Sequence, residues 1–446
     1  MRASLIATAI VVALGAGSLN AVAATDDAAA TTPAAHHHHK AAKKAAPMAA
    51  PAGPNMQAEL AMRDQEIADL KNALANVEAK VGELEQRTDA QSDVNVQTAQ
   101  SVSSLQDTAK KTDKLEKIVN DTTVGGRVFV DISDLDKKTT NLKTGAVTKG
   151  STNGDGLDVK RGYLTVNHSF NDIWSASLTT DFNYVSADSE TQLFIKNLYV
   201  QGKFDDAFIF RAGAIPMAWI PFAENWYGYR YVENTLIDRL KFGNSADWGL
   251  SASGKLGGGM FDYAAAAVNG GGYKNPTRSD SMDFEGRVAF SPIDNTVIAV
   301  GGYSGDLGKE TATTKTPNTA TRGDAMIAYA KGNTRLGAEY FEASNWTPGS
   351  AVPLSKDKAE GYSIWASYGF TDVLSLFGRY DNVKPNKDTD PSLKDKYYNF
   401  GLQWDVRKGF KLAAVYKNED LRDSLNPVNP TDAKTEEFGI FGDVSF

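Results

Sequence analysis

The sequence predicts an all-β transmembrane barrel of sixteen antiparallel strands preceded by an α-helical coiled coil. Three observations predict it. Apolar and polar residues alternate with period two from about residue 124 to the last residue, Phe446. The connections between the alternating segments are short and long in strict turn, as in barrels that cross an outer membrane. Residues 56–120 carry heptad periodicity instead.

Composition narrows the class. A chain of 446 residues with 39 Gly and abundant Tyr, Phe and Thr leans towards β structure. After the first 25 residues no run of about 18 apolar residues occurs, which excludes helical spans but not strands. There is no cysteine, so a disulfide framework and thiolate metal sites are excluded. A net charge of -8 argues against nucleic acid as a partner.

Residues 1–24 read as a secretory signal: Met1-Arg2, an apolar stretch from Ala3 to Leu19, and the small-x-small run Ala21-Val22-Ala23. Residues 25–55, rich in Ala, Thr, Pro and His, bury too little to order and read as a disordered spacer in the periplasm. His36, His37, His38 and His39 are imidazoles able to share a transition metal, but a polar linker tract explains them better, and no metal or cofactor is expected. In residues 56–120, Leu60, Ile67, Leu70, Leu74, Val77, Val81 and Leu84 occupy a and d positions. The register continues through polar Thr88, Gln91, Asn95 and Thr98 to Val102 and Leu105. Such a stalk predicts a homotrimer, and a stalk on the periplasmic side offers a contact with peptidoglycan.

The barrel is expected over residues 124–446. Its last strand places Phe438, Ile440, Gly442, Val444 and Phe446 on one face and Glu437, Gly439, Phe441, Asp443 and Ser445 on the other. It should pair with the first, Arg127 to Asp134, because an unpaired edge in lipid leaves backbone groups uncompensated. Short turns are expected at Asn171-Asp172, Asp205-Asp206, Gly257 to Gly259, Pro292 to Asn295, Gly332-Asn333, Thr371-Asp372 and Lys408-Gly409. Long loops fall between them, including Leu135 to Gly156, Ser186 to Glu190 and Lys417 to Lys434. Phe170, Phe204, Phe290 and Phe370, with Trp174, Phe208 and Phe410, flank the short turns and suit a girdle at a lipid interface. Sixteen strands leave room for an aqueous channel.

The longest connection, Pro216 to Ala246, is too aromatic for an exposed loop and is expected to fold into the lumen. It carries Trp219, Phe222, Trp226, Tyr227, Tyr229, Tyr231 and Phe242. It also carries Arg230, Arg239 and Lys241 against Glu224, Glu233 and Asp238, so the sign of a constriction is undecided from the loop alone.

The signal, the heptads, the sixteen-strand pattern, terminal Phe446 and the run from Gly213-Ala214-Ile215-Pro216 through Pro221-Phe222 to Asp247-Trp248-Gly249 resemble the phosphate-selective porin O and P family. The resemblance implies a trimeric outer-membrane channel, with Arg230, Arg239 and Lys241 as constriction cations. The chain lacks the family's row of arginines free of acids: Arg127, Arg161, Arg287 and Arg379 share their strands with other neighbours, acidic ones among them. The expected function is passive diffusion of small hydrophilic solutes, including anions such as phosphate. The alternatives are sugar passage over the aromatic loop, or a tether between outer membrane and cell wall with the barrel as anchor. An enzyme is not expected: beyond the spacer His168 is the one histidine, and no G-x-S-x-G or H-E-x-x-H motif occurs.

Overall fold

The computed structural model describes residues 56–184, 192–346, 356–426 and 429–446. The segments read as signal and spacer, with His36 to His39, and the loop Ser186 to Glu190 lie outside the described residues. The chain divides into two units between Ala99 and Gln100.

Helix α1, Met56–Asp121, is a single α-helix of 66 residues with no buried side chain. At 1.5 Å per residue it is about 100 Å long. Leu60, Ile67, Leu70, Leu74, Val77, Val81 and Leu84 are all exposed, so a lone chain leaves its heptad stripe in water.

From Thr122 onward the chain is one antiparallel sheet. Its strands are β1 (Thr122–Asn141), β2 (Val147–Lys149), β3 (Gly154–Ser169), β4 (Trp174–Tyr184), β5 (Gln192–Lys203), β6 (Ile209–Pro216), β7 (Ala246–Leu256), β8 (Phe261–Val268) and β9 (Asp283–Phe290). They continue as β10 (Thr296–Gly305), β11 (Ala320–Lys331), β12 (Thr334–Ser344), β13 (Lys358–Gly369), β14 (Leu374–Lys384), β15 (Leu393–Arg407), β16 (Phe410–Asp423) and β17 (Thr431–Ser445). The three-residue β2 pairs with β1 above the first turn of the sheet, and the other sixteen close. Closure is direct: Val128 lies opposite Gly162 of β3 on one side and Val444 of β17 on the other.

The polarity is inverted relative to a water-soluble fold. Ile132, Ile364, Leu376, Phe400, Leu402 and Ile440 point outward and are exposed, whereas Asp131, Glu339, Arg379, Asp381, Gln403 and Lys417 point inward and are buried. That is a barrel with lipid outside and water inside. Phe170, Trp174, Phe204, Phe208, Phe370 and Trp404 are exposed at the short-turn end. At the loop end Tyr340, Tyr362, Tyr380, Tyr398 and Tyr416 form a second row across β12 to β16, bounding the apolar belt.

The short turns follow from their residues. Asn171 Oδ1 accepts from the Ile173 and Trp174 N–H groups, Asp205 Oδ1 accepts from those of Ala207 and Phe208, and Gly409 supplies a φ of 79°. Strand ends at the opposite rim run further than alternation alone predicts. β1 continues to Asn141 and β17 begins at Thr431, with the ladder intact between them, and β16 extends to Asp423. Apart from Leu421 and Ala433 those rungs are polar on both faces, so the period-two signal fades where the pairing does not.

Replacing Ile440 by Arg places a charge on the lipid face and is expected to cost about 2–4 kcal/mol if the residue sits near mid-depth. Reversible denaturant unfolding in vesicles measures this; Phe446→Arg, at the interface, should cost far less.

Candidate permeation site

The connection between β6 and β7 occupies the lumen. Its base closes where the Met217 N–H donates to the Ser245 carbonyl, 3.1 Å. Helix α2, Ile220–Tyr227, begins with Pro221 in its first turn and ends at Gly228, φ 80°, whose N–H donates to the Glu224 carbonyl. Glycine suits this left-handed position, and the missing Cβ leaves room for Arg335, whose Nε would lie 2.5 Å from one. The Arg335 guanidinium donates to the carbonyls of Asn225 and Trp226 at 2.8 and 2.9 Å, placing a cation on the C-terminal end of α2. A second turn, α3, spans Leu236–Arg239.

Aromatic side chains of this loop form the main apolar core of the barrel unit. Trp219, Tyr227, Tyr229, Tyr231, Leu236, Ile237 and Phe242 are buried. Tyr229 stacks on Phe377 of β14 with ring centroids 4.3 Å apart, Tyr227 meets Trp365 of β13 edge-on, and Phe242 packs on Phe341 of β12. Polar ends find wall partners: Trp219 Nε1 donates to Glu339 at 2.7 Å and the Tyr231 hydroxyl to Gln403 at 2.8 Å. The wall also donates to the loop, with Arg287 reaching the Ala218 carbonyl at 3.0 Å, and Arg322 and Arg379 reaching those of Phe242 and Asn234. These contacts, with the Trp219 ring over Gly301 of β10, cover the inner faces of β9 to β15.

The loop's own charges are largely neutralised by this docking. Arg239 is enclosed by Asp381, Asp395 and Glu419 at 3.2, 2.7 and 2.6 Å. Arg230 pairs with Glu224 at 2.5 Å and Asp238 at 3.4 Å, and Glu233 lies 3.4 Å from Lys417. Burial opposes ionisation of Glu233, but Lys417, Lys160, Arg239 and Arg379 outweigh it and hold its carboxyl at about 2. Asp238 goes the other way, raised by burial against the pull of Arg230. Lys241, at φ 60°, is exposed and makes no ion pair among the described residues. Of the residues singled out in the sequence, Arg230, Glu233, Asp238 and Lys241 therefore line open space, while Arg239, Trp219, Tyr227, Tyr229 and Tyr231 hold the loop to the wall. Glu224 pairs with Arg230, and Trp226 packs on Phe222.

Open space remains along β3 to β8. Two cavities there share Arg161, Arg230, Asn234 and Lys274; together they are bordered by Lys160, Arg161, Arg230, Lys241, Lys274 and Lys309 against Glu233 and Asp238. A third, towards the short turns, is bordered by Lys203, Arg211, Lys255 and Arg287 against Asp206 and Asp262. Short inward side chains keep this side clear: Ser177 and Thr179 on β4, Ser251 and Ser253 on β7.

The cations opposite the loop are placed by β-bulges. In the β1–β3 ladder Phe129 faces Arg161 and Val130 faces Val159, which leaves Lys160 as an extra residue. Lys160 and Arg161 consequently both turn inward, Lys160 to Asp131 at 3.2 Å and Arg161 to Asp181 at 3.6 Å. In the β4–β5 ladder Thr179 faces Asn197 and Thr180 faces Ile195, leaving Lys196 extra. Its ammonium sits 4.5 Å from the Tyr163 ring centroid, inside the lumen. Neither lysine is among the residues the sequence reading selected. The available signs were the adjacent cations Lys160-Arg161 and the polar pair Lys196-Asn197, each a break in period-two alternation.

No protein-family profile and no curated protein matches the sequence. Among solved structures the chain is similar to the outer membrane channel DcaP of Acinetobacter baumannii at 13% identity, covering 73% of this chain and 97% of that one, with a TM-score of 0.48. It is similar to Salmonella typhi OmpF in complex with daunomycin at 12% identity, 73% and 97% coverage, and a TM-score of 0.49. For the anion-selective porin from Comamonas acidovorans the values are 12%, 73%, 99% and 0.48.

Trp219→Ala removes a fully buried ring and leaves Glu339 without its donor, so it should destabilise the docked loop by about 3–5 kcal/mol. A higher and noisier single-channel current in a planar bilayer, with the barrel still folded, is the expected signature. Arg239→Met leaves Asp381 and Asp395 short of a cation and should cost about 3–5 kcal/mol by denaturant unfolding.

Proposed function

We propose that the chain is an outer-membrane porin for passive diffusion of small hydrophilic solutes, with a preference for anions. The observation that carries this reading is the asymmetric lumen: an aromatic loop docked on one wall, and on the other an open side lined by Lys160, Arg161, Lys196, Lys274 and Lys309. Fixed cations in a narrow, weakly screened passage raise the local anion concentration and repel cations.

A basic path of this kind is what the resemblance to the phosphate-selective porin O and P family implies. Here it is built from lysines with Arg161, and acids stand beside it: Asp131 beside Lys160 and Asp181 beside Arg161. That composition supports a general anion preference over a dedicated phosphate site. Sugar passage is less well supported, because Trp219, Tyr227, Tyr229 and Tyr231 are buried against the wall, although Phe222 borders an open cavity. The exposed heptad stripe of α1 supports a homotrimer joined through a periplasmic coiled coil.

Neutralising the bulge cations together (Lys160→Gln, Arg161→Gln, Lys196→Gln) should shift the reversal potential in a potassium chloride gradient towards the cation limit, with conductance retained. An unchanged potential would remove these residues from selectivity. Lowering the pH from 7 towards 4 should strengthen anion preference: Asp238, raised above its ordinary range, loses charge first while Glu233 keeps it. The chain has no cysteine. A single Leu74→Cys therefore reports on the stalk: oxidative cross-linking between copies is expected, and its absence would remove the coiled coil.

A further inference from the structure

The outward faces of β15 and β16 change character within two residues. On β15 the outward side chains run Trp404, Leu402, Phe400 and Tyr398, then Lys396 and Lys394. On β16 they run Leu412, Ala414 and Tyr416, then Asn418, Asp420 and Arg422. Tyr398 and Tyr416, with ring centroids 6.1 Å apart, mark where the apolar belt stops. Immediately beyond lies a concavity bordered by Lys394, Lys396, Asp420 and Arg422, with Pro391 and Leu425 at its edge.

The register sets two of these cations against each other. Lys394 lies directly opposite Arg422, and Lys396 opposite Asp420; on the other side of β16, Arg422 faces Asp432 and Asp420 faces Lys434 of β17. Like charges facing each other across an antiparallel pair repel. At the same rim of the neighbouring strands, cations are compensated: Lys384 and Lys387 both meet Glu360, at 3.1 and 2.5 Å. Lys394, Lys396 and Arg422 make no ion pair among the described residues. An anion placed between Lys394 and Arg422 removes the repulsion, and a guanidinium fork matches phosphate oxygens in particular.

We infer that this concavity binds the phosphate of an outer-leaflet glycolipid, whose acyl chains lie down the apolar faces of β15 and β16. The inference rests on the reading of the barrel as an outer-membrane protein with its long loops outward. Position supports a lipid over a free ion, because the cations sit on the outside of the barrel at the tyrosine row, where a headgroup meets its chains.

The test uses the full-length protein purified in detergent, titrated with bisphosphorylated lipid A and with the same lipid stripped of phosphate, and read by native mass spectrometry. Wild type should retain the phosphorylated form at least about tenfold more tightly, and Lys394→Gln/Lys396→Gln/Arg422→Gln should lose that difference. Equal retention of both lipids by the wild type would overturn the inference without any variant. So would unchanged retention by the triple variant, or displacement of the lipid by inorganic phosphate at equal concentration, which would make the site one for the free ion. Planar-bilayer conductance separates the two readings: the triple variant lies outside the lumen and should conduct as wild type does, whereas a wild type that does not conduct sinks the channel and not the lipid site.

Discussion

A strand edge exposed to hydrocarbon has no water to satisfy its N–H and C=O groups, and this constraint governs the barrel. It requires β1 to meet β17, and the register from Arg127 opposite Ser445 to Asn141 opposite Thr431 meets that requirement along the whole length of both strands. Closure then fixes the interior volume, since strand number sets barrel width. Sixteen strands enclose more space than wall side chains fill, so the rest must hold water or be plugged. The loop between β6 and β7 does part of the plugging, and it covers β9 to β16 while leaving β3 to β8 open.

The docking also explains why so many charges are buried in the lumen. Arg239 with Asp381 and Asp395, Arg322 with Glu285 and Asp324, and Arg379 with Asp381 are compensated pairs that fix the loop's position. Breaking such a pair costs more than making it contributes, so they give geometric definition rather than raw stability. The cations of the opposite wall, Lys160 beside Asp131 and Arg161 beside Asp181, instead border the open space.

The sequence makes the barrel legible because lipid and water impose opposite polarity on alternate residues, as in Phe438 to Phe446, and because short turns declare themselves through Asn171, Asp205 and Gly409. The aromatic density from Trp219 to Phe242 likewise marks a segment that needs cover. What it conceals is register. Lys160 and Lys196 become lumen residues only because β3 and β5 each carry one residue more than their partners, and a bulge is a property of two strands together. Partner choice is hidden for the same reason: Arg239 reads as a constriction cation until the fold brings Asp381, Asp395 and Glu419, some 140 to 180 positions away, around it. The polar residues above the belt, from Asp136 to Asn141, leave no periodic trace on either face.

Anion preference is read most directly from the zero-current potential of the purified protein in a planar bilayer under a tenfold potassium chloride gradient. A conducting channel whose potential has the sign of chloride preference is the predicted result, because the open side of the lumen carries excess positive charge. A potential of the opposite sign, or a bilayer that stays silent, would contradict it.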